Sequence, residues 1–502
     1  MRSLKDQPSD SLFRITTIVA AFLVFGAVAL NIVTALMTFN IWGGQRLAWI
    51  FSIVNGFKMY YHPACDGPVL PRIYAPLAAF IFYPATFFNT PSQALIFSSL
   101  LSFCYFSLPL LCMRGFQGKI DLYHLSILVV FYGFVVHYFS LTYSAFAVHF
   151  DCLGLACCAL ACLWIIQKEY PGIGDLTVAM ILAFMAVWLK QVFLPIVLVL
   201  PFSLFLWGDK KALRSCLIII FVLTLLSLVL FFFIDIKGFL FESFIVPSSH
   251  PWKHVDKGKA VLYSLARIFD QLLPFILVTA LAYCVSGRFQ AAAEQGSFRG
   301  WFSQNKWFIF VITTGAMIPT SLVSWSKVGG DYNSFSYVQY FLLLGGIYLM
   351  ADTFAQGRHS SAKGLKVLIF ILMICFVFTS IPKIEDMVHK FTQLEYNDHE
   401  MAYNYARENP GQAYFPNNPL SVLMAEKKLY HFMWGVKERE MAGYPLTNKQ
   451  FRDGIPADFD YVIFPKDSQY SYQYILEFLP EYSHPVALPK FPGALVLSRE
   501  PG

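Results

Sequence analysis

The residues best suited to chemistry in this 502-residue sequence are ionisable groups that interrupt long apolar runs. Asp66 and Arg72 follow the first run, His149 and Asp151 open a later one, Lys190 and Gln191 separate two more, and Lys327, Asp331 and Asn333 precede another. An ionisable side chain at bilayer depth costs about 2.5–3.5 kcal/mol on insertion scales, so each is a functional candidate by default. The carboxylates are candidates for catalysis and the cations for holding a ligand. Each also has a structural reading. Asp66 in Cys65-Asp-Gly-Pro68 fits a tight turn, Asp151 fits a helix N-cap, Lys190 could snorkel to headgroups, and Gly329–Asn333 fits a plain turn. The close setting of Lys190 between two apolar runs favours a ligand role. His250 and His254 have metal-pair spacing, but Pro251 places them in a loop rather than on one helical face. No P-loop, GxGxxG, GxSxG or HExxH occurs, so ATP-driven transport and serine hydrolysis lose support.

Composition says what must position these groups. The chain is 57% apolar and 14% charged, with mean hydropathy +0.55, far from the roughly 25% charged residues of a soluble protein. Residues 383–502 hold 12 Lys/Arg and 16 Asp/Glu, and the first 382 hold 25 and 15. The expected fold class is therefore a polytopic α-helical membrane protein with a small C-terminal α/β soluble domain. The membrane domain is expected over 1–382, with outer loops 39–91 and 236–270, and the extracytoplasmic domain over 383–502. Windows near 15–38, 92–113, 122–142, 148–167, 174–190, 192–208, 216–234, 271–287, 307–325, 337–354 and 366–382 approach the ~20 residues a span needs, predicting about eleven transmembrane helices. Residues 74–88 are shorter and broken by proline, and are read as a half-inserted or interfacial helix. Arg46–Tyr61 is amphipathic, with Leu47, Ile50, Phe51 and Val54 on one face and Arg46 and Lys58 off it, which predicts a helix flat in the headgroups.

With the N-terminus inside, the inner segments carry 15 cations and the outer loops, without the tail, carry 10, the asymmetry expected for cytoplasmic loops. An odd number of spans then puts the tail outside. The first apolar run is longer than a signal-peptide core and has no convincing cleavage site, so it is expected to be a retained first span entering from the cytoplasm. Nine of the ten cysteines lie in apolar segments, so no disulfide framework is expected. In the tail, Ala413–Phe415, Tyr461–Phe464 and Ala494–Ser498 read as strands, with helices near Glu385–Asn409, Pro419–Lys427 and Gln469–Leu479. The net cation excess reflects inner loops and gives no sign of a nucleic-acid partner.

In order along the chain, Asn55-Gly-Phe-Lys-Met-Tyr60 with Tyr74-Ala-Pro-Leu77, Asp151 before a small-residue helix, Lys190-Gln191, and Lys327-Val-Gly-Gly-Asp-Tyr-Asn333 resemble the motifs of C-type (GT-C) glycosyltransferases. That superfamily includes the protein mannosyltransferases and the lipid A aminoarabinose transferase. Tyr414–Ser421 and Leu429–Phe432 resemble phrases of bacterial members. The sequence departs from the family after the first span, where Trp42-Gly-Gly-Gln-Arg46 lacks the usual acidic residue. The resemblance implies an enzyme, an inverting transferase that takes a sugar from a polyprenyl-phosphate carrier to an extracytoplasmic glycan, lipid or protein acceptor. Its setting would be the bacterial cytoplasmic membrane; the absence of any Asn-x-Ser/Thr sequon accords with that. The chemistry needs a carboxylate to accept the acceptor's proton and cations to hold the leaving phosphate. Asp66 or Asp151 is expected as base. Arg72, Lys190 and Lys327 are expected to hold phosphate, and Tyr74, His149, Gln191, Asp331 and Asn333 to complete the substrate site. The outer Asp residues could bind a divalent ion, although nothing in the sequence requires one. The rival readings are a flippase of lipid-linked sugars, weakened by the lack of an internal repeat, and a non-catalytic relative, favoured only by the missing carboxylate.

Overall fold

Backbone amides in hydrocarbon have no water to bond, so apolar runs close their hydrogen bonds as helices. The computed structural model describes residues 8–34, 40–62, 64, 67–116, 121–254, 256–286, 298–356, 359–392, 397–464 and 472–499. Among the described residues seven helices are long and apolar enough to cross a membrane: Ser11–Val33, Pro91–Cys112, Lys210–Phe233, Lys257–Val285, Lys306–Ser326, Tyr332–Ala355 and Ala362–Thr392. Leu122–His137 and Phe139–Phe146, bent by 100°, make an eighth if counted as one span. This corrects the expected count of about eleven. The difference lies at 148–167, 174–190 and 192–208, which form the shorter helices Asp151–Ile166, Ile173–Leu189 and Gln191–Trp207. At 1.5 Å per residue, 17 residues rise only about 26 Å, short of the ~30 Å hydrocarbon core. Hydropathy alone does not see where a helix stops. Lys190 has an extended backbone, φ −156° and ψ 123°, and ends one of these helices.

Ser336–Ala355 runs through the bundle centre with most of its residues buried. Lys210–Leu230 lies at the edge and buries only Ala212, Cys216 and Ile219. Phe13, Tyr123 and Phe354 cluster at one end of the bundle, and the C-terminal domain closes the other. The expected flat helix differs in extent and setting. It runs from Asn40 to Val54 and stops before Gly56, whose φ of +84° no other residue adopts cheaply. Leu47, Ile50 and Phe51 are buried as expected, but so are Gln45 and Arg46, while Val54 is exposed. The reason is a cover that hydropathy cannot reveal: Trp42 packs on Phe432 and Trp434 of the C-terminal domain. Residues 74–88 form a short helix, Leu77–Phe80, and a 3-10 turn, Tyr83–Phe87.

The C-terminal domain holds a four-stranded sheet of β1 (Ala413–Tyr414), β2 (Tyr461–Phe464), β3 (His484–Val486) and β4 (Leu495–Ser498), in the order β1-β2-β4-β3. The β1–β2 pair is parallel and the other two are antiparallel. β3 was illegible because it is three residues long and contains Pro485, a residue confined to sheet edges. The domain is tied to the loop after the first span. Phe432 N donates to Val69 O at 2.9 Å, Val69 N donates to His431 Nδ1 at 2.8 Å, and Gln450 Nε2 donates to Ala64 O at 2.7 Å.

Candidate functional site

Helix Asp151–Ile166 begins at the bundle end that the C-terminal domain covers. Gly154 brings this helix close to the turn after Lys190, since a Cβ there would lie 2.2 Å from the Phe193 ring. The result is a buried ion pair: Lys190 Nζ donates to Asp151 Oδ1 at 2.7 Å, with side-chain exposures of 10% and 0%. Asp151 is not an N-cap; that position is Phe150. Its second oxygen accepts from Asn333 Nδ2 at 2.9 Å and lies 3.0 Å from His149 Nδ1. Lys190 also donates to the Tyr337 hydroxyl, and its ammonium lies 5.4 Å from the Tyr74 ring centroid and 5.1 Å from that of Tyr337. The Tyr74 hydroxyl is 3.3 Å from His149 Nε2. Four segments far apart in sequence thus close one polar network in an apolar bundle, which satisfies the buried charge.

A cavity of about 420 Å³ opens against this network, within the range of small-molecule sites. Its walls include Arg46, Tyr74, His149, Lys190, Gln191, Lys327, Asp331, Asn333 and Glu438. Gln191 bridges two loops, donating to Ile73 O at 3.1 Å and Ser243 O at 2.8 Å, and leaves its Oε1 buried and unpartnered among the described residues. Lys327 donates to Pro247 O at 3.3 Å and to Ser248 O. Asp331 is exposed and accepts from Tyr332 N at 2.6 Å, as the cap of the turn Tyr332–Phe335. That turn depends on Gly330, where a Cβ would meet Ser324 O at 1.9 Å. The histidine segment is a loop as expected, its Trp252 bridged to Lys327.

Two expected residues are placed otherwise. Asp66 lies outside the described residues. Arg72 is 1% exposed and does not line the cavity. It lies over the Tyr61 ring at 4.5 Å, its guanidinium nitrogens have no hydrogen-bond partner among the described residues, and burial lowers its pKa. Asp151 is brought to the cavity only through its partners, being sealed behind Lys190 and Asn333.

Sequence reasoning missed Arg46, Tyr143, Tyr337 and Glu438. Arg46 sits in the cavity wall, donating to Val148 O at 3.2 Å and lying 5.6 Å from the Tyr143 ring. Burial opposes its charge, yet the neighbouring Tyr143, Tyr74 and Asp151 leave its pKa raised overall. The signal for it was the single arginine in a glycine-rich, otherwise apolar stretch. For Glu438, in a polar tail helix, the sequence carried no signal. Among the described residues no three His, Cys, Asp or Glu side chains gather as a metal-holding group.

No protein-family model and no curated protein matches the chain. Two solved structures do, both of ArnT from Cupriavidus metallidurans. The apo state is 11% identical, with a TM-score of 0.54. The form bound to undecaprenyl phosphate has the same identity and a TM-score of 0.52. Each comparison covers 94% of this chain and 97% of the other. The chain is thus a multi-pass membrane protein whose fold is similar to that of ArnT.

Proposed function

We propose that this chain is a glycosyltransferase that moves a sugar from a polyprenyl-phosphate carrier to an acceptor at the extracytoplasmic face of a bacterial cytoplasmic membrane. The observation that carries this reading is Lys190, an ammonium held charged by Asp151 in a buried setting and presented to the cavity. The ArnT structure with undecaprenyl phosphate supports it at the level of fold. Lys190, Arg46 and Lys327 would hold the carrier phosphate, stabilising the charge that grows on it as the glycosidic bond breaks. Asp151, with no free face toward the cavity, keeps Lys190 charged and aimed, a positioning role. His149 and Tyr74 brace Asp151, and Gln191, Asn333 and Asp331 are placed to orient sugar or acceptor. Attack from the face opposite the phosphate inverts the anomeric centre. The N-terminus would be cytoplasmic and the C-terminal domain outside, over the acceptor's approach.

Full-length protein in sealed vesicles of native membrane lipids, given radiolabelled polyprenyl-phosphate sugars, tests the reading. Label passing to a lipid, glycan or protein acceptor is expected, and Lys190→Met should abolish donor binding. Label that crosses the bilayer without transfer would make the protein a flippase instead.

A further inference from the structure

We infer that Glu438, on the helix Met433–Met441 of the C-terminal domain, is the carboxylate that takes the acceptor hydroxyl's proton. The inference rests on the transfer reaction proposed above and deepens it. Four carboxylates of the described residues stand at or beside the site, of which Glu242 is 4% exposed and does not line the cavity. Asp151 has both oxygens engaged, by Lys190, Asn333 and His149, and a carboxylate balanced in that way is a poor proton acceptor. Asp331 is exposed and engaged in capping its own turn. Glu438 lines the same cavity as Lys190 and Arg46, and its Oε2 is buried with no hydrogen-bond partner among the described residues. An unpartnered buried carboxylate oxygen costs stability and is retained most readily where a substrate proton will satisfy it.

The fold holds Glu438 in place. Its helix is capped by Phe432, whose amide donates to Val69 O. At Gly435 a Cβ would lie 3.1 Å from Pro71 and Val69, so helix and membrane-domain loop meet at backbone distance. The stretch Trp42–Arg46 after the first span carries no acid, and the covering domain places one against the same cavity. The groups that face the Glu438 carboxylate are Arg46 from helix Asn40–Val54, Tyr74 from the following loop and Glu242 from the 236–270 segment; His250 of that segment lies against the Glu438 backbone, and Arg439, next on its own helix, acts on Glu242. Burial, reinforced by Glu242 and opposed by Arg46, raises the Glu438 pKa to about 8, close to the operating pH that suits a general base.

In the step, a lone pair of the acceptor oxygen attacks the sugar's anomeric carbon. The bond from that carbon to the carrier phosphate breaks with its electrons leaving on the phosphate, and the hydroxyl proton passes to Glu438 Oε2. The products are glycosylated acceptor, polyprenyl phosphate and protonated Glu438, which returns its proton to water.

The test uses the full-length chain in vesicles of native membrane lipids with radiolabelled polyprenyl-phosphate sugar. Glu438→Gln is expected to lower transfer at least about 100-fold, the lower end for general-base catalysis, with donor binding within about twofold of wild type. Wild-type transfer should rise with pH through about 8, and Glu438→Asp should retain measurable transfer with that acid limb displaced. Transfer by Glu438→Gln within about threefold of wild type overturns the assignment, as does an equal loss of donor binding. If Glu438→Gln does not fold, an undisplaced limb in Glu438→Asp overturns it. Wild-type protein inactive with every donor takes down the underlying reaction and this role together, whereas an active wild type beside an active Glu438→Gln removes Glu438 alone.

Discussion

Breaking the Lys190–Asp151 pair one partner at a time, and then both together, separates its structural from its functional role. Both side chains are nearly out of solvent, so each single variant strands a buried charge, at about 3–5 kcal/mol. The two costs differ in a direction the structure sets. In Lys190→Met the Asp151 carboxylate keeps Asn333 and His149 and the more distant Tyr337 hydroxyl, at 3.4 and 3.5 Å. That loss should fall near about 3 kcal/mol. In Asp151→Asn the ammonium loses its counter-charge and keeps only neutral partners, the Asn amide oxygen, the Tyr337 hydroxyl and two aromatic faces, which points to about 4–5 kcal/mol. The double variant is neutral and similar in volume, so it should lie within about 2 kcal/mol of wild type. Unfolding of the purified protein in mixed micelles, followed by near-ultraviolet circular dichroism, measures all four. Donor binding should nonetheless be absent in the double variant, because the phosphate ligand has gone. A double variant destabilised by the sum of the singles, or singles that each cost under about 1 kcal/mol, would refute the claim that Asp151 exists to hold Lys190 charged.

Arg46→Lys keeps the charge but loses the forked donor geometry, so donor affinity should fall about tenfold in equilibrium binding while the melting temperature changes little. Gly330→Ala cannot seat its Cβ beside Ser324 O and should cost about 1–3 kcal/mol, read as a lower thermal midpoint together with weakened donor binding. Gly44→Leu should lift the C-terminal domain, because even a Cβ there would lie 2.3 Å from buried His399; faster trypsin cleavage at Lys390 than in wild type checks this. His431 is held neutral, its pKa lowered to about 4 by burial, since Nδ1 must accept from Val69 N. Its contribution is complete above the unfolded value near 6.5 and is lost as pH falls from there to about 4, roughly 3 kcal/mol in all. A stability–pH curve should show that slope, and His431→Gln should flatten it.

Several site residues were legible because ionisable groups are rare in apolar sequence. Asp151 and Lys190 stand out for that reason, and the structure brings Lys190 and Asn333 each within 3 Å of the Asp151 carboxylate. Arg46 was misread because an amphipathic pattern reports which face is apolar and not what covers the other. Tyr337 and Tyr143 look like ordinary aromatic residues of apolar helices, and their hydroxyls acquire partners only from helices remote in sequence. The short helices around Lys190 defeated a count of spans because apolarity continues across a break that only backbone geometry records.

The sequence by itself determined a polytopic helical protein with a polar tail, since lipid solvation imposes a local requirement on every residue of a span. It also determined which few charges are too costly to be incidental. Only the tertiary structure decided which charge faces which, that Asp151 is sealed while Lys190 is presented, and that the C-terminal domain brings Glu438 to the cavity. Electrostatic energy depends on distance and burial, and between residues hundreds of positions apart both are set by packing.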